Sequence, residues 1–258
     1  MNKLVSQATD EFVTGEDRID IWYVDLTLSG FECLDLLSED EIIRSKKMLN
    51  TENKNLFIRS RCALRLILAN CLSLNPREIS FQYGEKGKPK LDVPSSTQLE
   101  FNLSHSNDIA LIAVGTKRQI GIDISHTNRS TNWQGIAKRN FTESEQAYLM
   151  QTGSSQTEVS RNHFHRIWSQ KEAYTKALGL GFSYGFKNFS VELDGGLRED
   201  NISPDAIKLW TIKSFEPEKD SVAALAFSGS TQPKIYAWKL DPPSNSSINS
   251  NALKYKFV

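Results

Sequence analysis

The sequence has 258 residues, 39% of them hydrophobic, which is enough for one large domain or two small ones around a buried core. Lys and Arg number 31 and Asp and Glu also 31, so no net field favours nucleic acid or an anionic membrane, and any anion site has to be local. The opening Met1-Asn2-Lys3-Leu4 lacks a signal-peptide run and apolar stretches such as Ile109 to Val114 are too short to span a bilayer, which makes a cytoplasmic protein the expectation.

Residues 1–17 are polar and read as a frayed segment, after which Ile19 to Leu26 alternates as a strand. Ser38 with Glu41 opens a capped helix. A second helix over about Glu52 to Leu72 turns Phe57, Ala63, Leu64, Ile67, Leu68 and Cys71 toward a core and is closed by Asn75-Pro76. Arg44, Lys46, Lys47, Arg59, Arg61 and Arg65 form a basic flank, solvated unless an anion is implied elsewhere. Cys33, Cys62 and Cys71 show no C-x-x-C spacing, which argues against a disulfide framework and a zinc site.

Ile79 to Tyr83 reads as a strand, and the turn Gly84 to Pro89 presents Lys86 and Lys88 on a constrained loop. Leu99 to Leu103 alternates and runs into Ser104-His105-Ser106-Asn107, a strand end suited to an oxyanion or equally to an Asx turn with an exposed histidine. Ile109 to Val114 is a buried strand and Ile120 to Ile124 another, with Asp123 facing away from Ile122 and Ile124. A carboxylate there needs a cation beside it, a metal or a basic side chain, and an arginine salt bridge is the competing account.

Helices follow at Ile136 to Arg139 and from the capping pair Thr142 and Glu145 to Met150, then a loop over 151–160. His163 and His165, without Cys or Asp ligands nearby, read as a helix surface. In Trp168 to Lys176 a helix sets Glu172 and Lys176 one turn apart beside an apolar stripe of Ile167, Tyr174, Ala177 and Leu178, ending at Gly179 and Gly181. The plain alternative is a short helix capped by Ser169 and Glu172 with an ordinary surface ion pair. Strands return at Phe189 to Leu193, Ile207 to Phe215, Val222 to Phe227 and Ile235 to Leu240, and Pro242 to Asn251 has the composition of a flexible tail.

Asp123, Glu172 with Lys176, and Ser104 with His105 are together satisfied by a divalent metal plus phosphate, since Mg2+ binds through one or two carboxylates and substrate phosphate oxygens. Phe101-Asn102-Leu103-Ser104-His105, Gly121-Ile122-Asp123-Ile124 and Trp168-Ser169-x-Lys171-Glu172-Ala173-x-x-Lys176, in that order and preceded by Gly87-Lys88-Pro89, resemble the 4'-phosphopantetheinyl transferase family from about Leu34 to Phe189. The length resembles its longer, Sfp-type branch.

The resemblance implies transfer of the 4'-phosphopantetheine arm of coenzyme A to a serine of an apo acyl or peptidyl carrier protein, with release of 3',5'-ADP. Asp123 and Glu172 match metal ligands for Mg2+, with Mn2+ as an alternative, and Glu172 also matches the base. Lys176 matches the lysine at the pyrophosphate. Ser104, His105 and Lys88 match positions that hold coenzyme A phosphates, His105 at the 3'-phosphate, while Arg44 and Arg61 fall in a basic region that also meets coenzyme A. Ser125 departs from the pattern by standing where many members carry a third carboxylate. The implied fold is α+β, with two similar halves, 18–117 and 118–241, about a pseudo-two-fold axis, a ligand crevice between them, and a tail over 242–258. A monomer is expected, with no nucleic acid or membrane partner; a coenzyme A or nucleotide-binding module that has lost transfer is the alternative function.

Overall fold

The computed structural model describes residues 17–93, 97–128, 131–151, 158–244 and 247–253 of the chain. The expected frayed segment over 1–17 and loop over 151–160 fall mostly outside the described residues. The strands are Arg18–Asp25 (β1), Phe81–Tyr83 (β2), Pro89–Leu91 (β3), Leu99–Ser106 (β4), Ile109–Thr116 (β5), Ile120–His126 (β6), Phe189–Val191 (β7), Leu197–Asp200 (β8), Trp210–Phe215 (β9), Ser221–Ser228 (β10), Lys234–Ser244 (β11) and Ser247–Leu253 (β12). The helices are Glu39–Lys46 (α1), Thr51–Leu72 (α2), Trp133–Asn140 (α3), Glu143–Gln151 (α4), Glu158–Leu178 (α5) and Ala206–Leu209 (α6).

The architecture is α+β and its layers follow from which strand faces are apolar. β5 is buried on both faces, as its unbroken apolar run requires. Ala110, Ile112 and Val114 pack with Trp22 and Val24 of β1 against Ala63, Leu64, Ile67 and Leu68 of α2. Ile109, Leu111 and Ala113 face the other way, onto Ile122 and Ile124 of β6 and Leu225 and Phe227 of β10. On the far side of that second sheet, Ala224, Ala226 and Ile212 meet Phe164, Ile167, Ala173, Tyr174 and Ala177 of α5. The order is therefore α2, a five-stranded sheet (β12-β11-β1-β5-β4), a three-stranded sheet (β6-β10-β9), then α5.

The two sheets meet at a seam between β4 and β6 that is stitched by side chains. Alternate residues of β4 reach across it. Asn102 Oδ1 accepts from Ile122 N at 2.8 Å, Ser104 Oγ donates to Asp123 Oδ1 at 2.8 Å, and Ser106 Oγ lies 3.1 Å from His126 Nδ1. Phe101 of the same strand points to the opposite face and into the α2 core, which is what a period of two demands.

Several elements differ from the sequence-based expectation. The Trp168 segment is the C-terminal half of a 21-residue helix, because Phe164 and Ile167 extend its apolar stripe upstream; Ser169 is fully buried in its interior and caps nothing. Its end is as expected: Gly179 has φ +74° and Leu180 N donates to Thr175 O at 3.1 Å, a Schellman closure. Helix α2 stops at a left-handed Ser73 (φ 53°), and Asn75-Pro76 instead opens the short turn that follows. Ile207 to Leu209 form a helical turn where a strand is expected, and β8 pairs with β7 although its polar sequence gives little sign of a strand.

Of the segment from Pro242, whose composition suggests a flexible tail, residues 242–244 and 247–253 are strand. Backbone pairing with β11 holds β12 in the sheet regardless of side-chain polarity, and Pro242-Pro243 sit at the register shift between Asp241 and Ser244, where no ladder donor is needed. The helix-capping expectations at Ser38 with Glu41 and at Thr142 with Glu145 are met.

Candidate active site

A glycine determines how closely the acidic strand approaches the acidic helix. A Cβ at Gly121 would lie 2.0 Å from Ala173 O and 2.5 Å from Ala177 N, so only glycine lets β6 lie directly on the last turns of α5. Ala173 and Ala177 are the matching small residues on the helix. The contact brings Asp123, two residues on, to the stretch of helix that carries Glu172 and Lys176.

Asp123 is buried, and Ser104 and Lys176 meet its carboxylate. Lys176 Nζ donates to its Oδ1 at 2.7 Å, and to Ser104 Oγ at 2.9 Å, while Ser104 donates to the same Oδ1 at 2.8 Å. The cation that a buried strand carboxylate demands is thus a lysine of α5 and not an arginine. Glu172, one turn before Lys176, accepts no side-chain hydrogen bond from the described residues. Burial, and then the charge of Asp123, push its carboxyl up to about 7, against the pull of Lys176. The two carboxyls are near enough for the charge of Asp123 to act on Glu172, and the ammonium of Lys176 rests on Asp123. This donor set fits a hard divalent cation, which prefers oxygen ligands and would relieve the repulsion that raises Glu172. Among the described residues no group of three or more His, Cys, Asp or Glu is placed to hold a metal, in keeping with Ser125 standing where a third carboxylate is expected.

The other sequence-predicted residues divide. Lys88 adjoins the cluster, but its ammonium donates to Ile120 O at 3.0 Å and Ala177 O at 2.9 Å, tying the β2–β3 turn to β6 and to the end of α5; burial pushes it down to about 8. Lys86 lies with Lys88, Asn102, Lys176 and Gly179 around a hollow of about 200 Å³. Ser104 and His105 lie within strand β4, not at a turn, so they face opposite ways: Ser104 is buried on Asp123 and His105 is exposed. Arg44 stacks on Phe57, its guanidinium 5.4 Å from the ring. Arg61 forms a buried ion pair with Glu41, which Arg65 joins at 2.8 Å, and lies 4.6 Å above the Phe81 ring. Although burial works against it, these two arginines hold the Glu41 carboxyl below the usual range. Neither Arg44 nor Arg61 is tied to Asp123, Glu172 or Lys176 by any of these contacts.

Sequence reasoning missed three supports. Ser125 Oγ lies 2.7 Å from His165 Nδ1, and His165 is only 4% exposed, so the expectation that it lies on a helix surface is corrected: its helix face turns inward to β6. Lys171, fully buried, donates to Phe186 O at 2.8 Å and Phe189 O at 2.6 Å and pairs with Glu145 at 3.0 Å, clamping α5 beside Glu172. Asp200 accepts from the hydroxyls of Tyr174 and Tyr184 at 2.8 Å or less. A lysine and a histidine inside an apolar helical pattern were the available signals for the first two; the third pairs segments too far apart to read.

Two family models match the chain. The family model described as "4'-phosphopantetheinyl transferase superfamily" matches residues 119–226, and that described as "4'-phosphopantetheinyl transferase, N-terminal" matches 28–117. The chain is 34% identical over 225 residues to the 4'-phosphopantetheinyl transferase HetI of a Nostoc species, covering 85% of this chain and 92% of that protein. It is 34% identical over 145 residues to the 4'-phosphopantetheinyl transferase AcpT of Salmonella typhi (56% and 71% covered). It is 30% identical over 141 residues to the human L-aminoadipate-semialdehyde dehydrogenase-phosphopantetheinyl transferase (52% and 45% covered). With residues 28–117 and 119–226 both matched and a relative 34% identical covered over 92% of its length, the chain belongs to the 4'-phosphopantetheinyl transferase superfamily, Sfp-type, whose members transfer 4'-phosphopantetheine from coenzyme A to carrier proteins.

Proposed function

We propose that transfer takes place at the Asp123, Glu172 and Lys176 cluster, with Mg2+ or Mn2+ held by the two carboxylates and a serine of an acyl or peptidyl carrier protein as acceptor. The observation that carries this is the meeting of Asp123 with Lys176 and Ser104 at hydrogen-bond distance, with Glu172 one helical turn away and accepting no side-chain hydrogen bond from the described residues. A carboxylate that no donor engages is free to take the proton of an attacking hydroxyl. The serine oxygen forms a bond to the β-phosphorus of coenzyme A as the bond from that phosphorus to the bridging oxygen breaks, and 3',5'-ADP leaves. The proton passes to Glu172. Lys176, already among oxygens of Asp123, Ser104 and Ile122, is placed to neutralise negative charge gathering on the bridge. A divalent cation, when bound, supplies Lewis-acid neutralisation of the same pyrophosphate.

For coenzyme A, the hollow beside Lys176, with Lys86 on its rim, supports pyrophosphate binding. Exposed His105 on β4 suits the 3'-phosphate, and Arg44 an outer nucleotide contact. Ser104 and Lys88 act by holding Asp123 and the turn, and Arg61 by holding Glu41. This reading takes two halves, 18–117 and 118–241, about a pseudo-two-fold axis, with the ligand crevice at the seam and a monomer as the working unit; α2 on one sheet and α5 on the other support the two layers, although β11 returns from the second half to the first sheet.

The test incubates the protein with Mg2+, coenzyme A and several apo carrier proteins and reads the carrier mass. Asp123→Ala and Glu172→Ala are each expected to lower turnover roughly a hundredfold or more, about 3 kcal/mol of transition-state stabilisation. Near wild-type turnover in either variant rejects the assignment.

A further inference from the structure

Ser125 and His165 lie on the same two surfaces as the cluster. On β6, Asp123 and Ser125 are two apart and share the face turned to α5. On α5, His165, Glu172 and Lys176 are separated by seven and eleven residues, which at 3.6 residues per turn returns each to within about 20° of one stripe. The strand and helix run past each other so that Asp123 meets Lys176 and Ser125 meets His165 at 2.7 Å, with Glu172 between the two contacts along the helix. Ser125 is half-buried, while the imidazole behind it is closed off from solvent.

A serine hydroxyl has one proton and two lone pairs. In the tautomer that carries its proton on Nε2, His165 Nδ1 accepts the serine proton, which then points away from the site and leaves the lone pairs facing it. An aliphatic side chain at 165 would fill the same space among apolar neighbours without needing a polar partner, so the imidazole serves the hydroxyl.

Resting on the reading that Asp123 and Glu172 hold the divalent cation, we infer that Ser125 Oγ is a neutral third oxygen toward that cation, oriented by His165, in the place where a carboxylate is expected. His165 is a positioning residue: it acts through Ser125. An outer partner of this kind sets ligand orientation, and its loss costs about tenfold or more in metal affinity.

The experiment titrates Mn2+ alone against the full chain and reads the free Mn2+ signal by electron paramagnetic resonance. Ser125→Ala and His165→Phe are each expected to weaken binding about tenfold. His165→Asn, whose side-chain oxygen can take the place of Nδ1, is expected to recover most of it. Metal-free melting curves of the same variants separate loss of the hydrogen bond from loss of the fold, and Ser125→Ala, which deletes a single atom, guards against the latter. Wild-type affinity in both Ser125→Ala and His165→Phe, while Asp123→Asn loses binding, overturns this inference and leaves the two-carboxylate reading standing. Wild-type affinity in Asp123→Asn, or no Mn2+ binding by the wild type, overturns both.

Discussion

At the scale of single residues, the active cluster is built against stability. Glu172 ionises near 4.5 in an unfolded chain and holds its proton to about 7 in the fold, so between those values the native state binds more protons. Stability contributed by this residue therefore falls as pH rises from about 4.5 to 7 and is level on either side. With divalent cations chelated, Glu172→Gln is expected to match the wild type at pH 4 and exceed it at pH 8 by up to about 3 kcal/mol, read from urea unfolding at each pH. Adding Mg2+ should raise the wild type and leave the variant unmoved, since only the former gains a ligand of the native state. Asp123 was legible in the sequence as a carboxylate in need of a cation, and Glu172 with Lys176 as a helical pair. That Lys176 answers Asp123 was not, because spacing fixes neighbours on one helix but says nothing of which face a distant strand meets.

At the scale of elements, the contact of β6 with α5 is set by backbone proximity at Gly121. Gly121→Ala forces the strand off Ala173 and Ala177, and such overpacking costs about 1–3 kcal/mol. Because the shift separates Asp123 from Glu172, transfer is expected to fall further than the lost stability explains, a difference seen by comparing turnover with the unfolding midpoint at low temperature. The buried Asp200 fixes the other side of α5 through Tyr174 and Tyr184. Tyr174→Phe removes one charge-assisted hydrogen bond and is expected to cost about 1.5–3 kcal/mol in urea unfolding with the fold retained. Periodicity and the capping pairs revealed the helices other than α6, and most strands. They fell short in three places: α5 begins nearly three turns upstream of its motif, Ile207 to Leu209 wind into a helical turn, and the polar β12 is held by its ladder.

At the scale of the whole molecule, order along the chain and membership of a sheet part company. β6, β9 and β10 form one sheet, but the next strand, β11, crosses back to lie parallel to β1, with Trp238 Nε1 donating to Asp20 Oδ1 across 218 positions of sequence. Lys88 ties the two sides a second time, from the β2–β3 turn to the end of α5. Lys88→Met leaves two carbonyls without their donor and is expected to cost about 1–3 kcal/mol, with faster hydrogen exchange at Gly179 to Gly181 as the local sign.

The return of β11 carries a consequence for how the protein is made. A nascent chain that has already emerged as far as β10 holds every strand of one sheet, yet β1 still has a bare edge, and edges of that kind recruit strands from other chains. Assembly of the first sheet must wait for residues translated more than a hundred positions after β5, so an incomplete sandwich stands exposed until β11 emerges. A chain stopped at Gln232 is expected to precipitate where the full chain stays dispersed, and light scattering during cell-free synthesis would time the moment of closure.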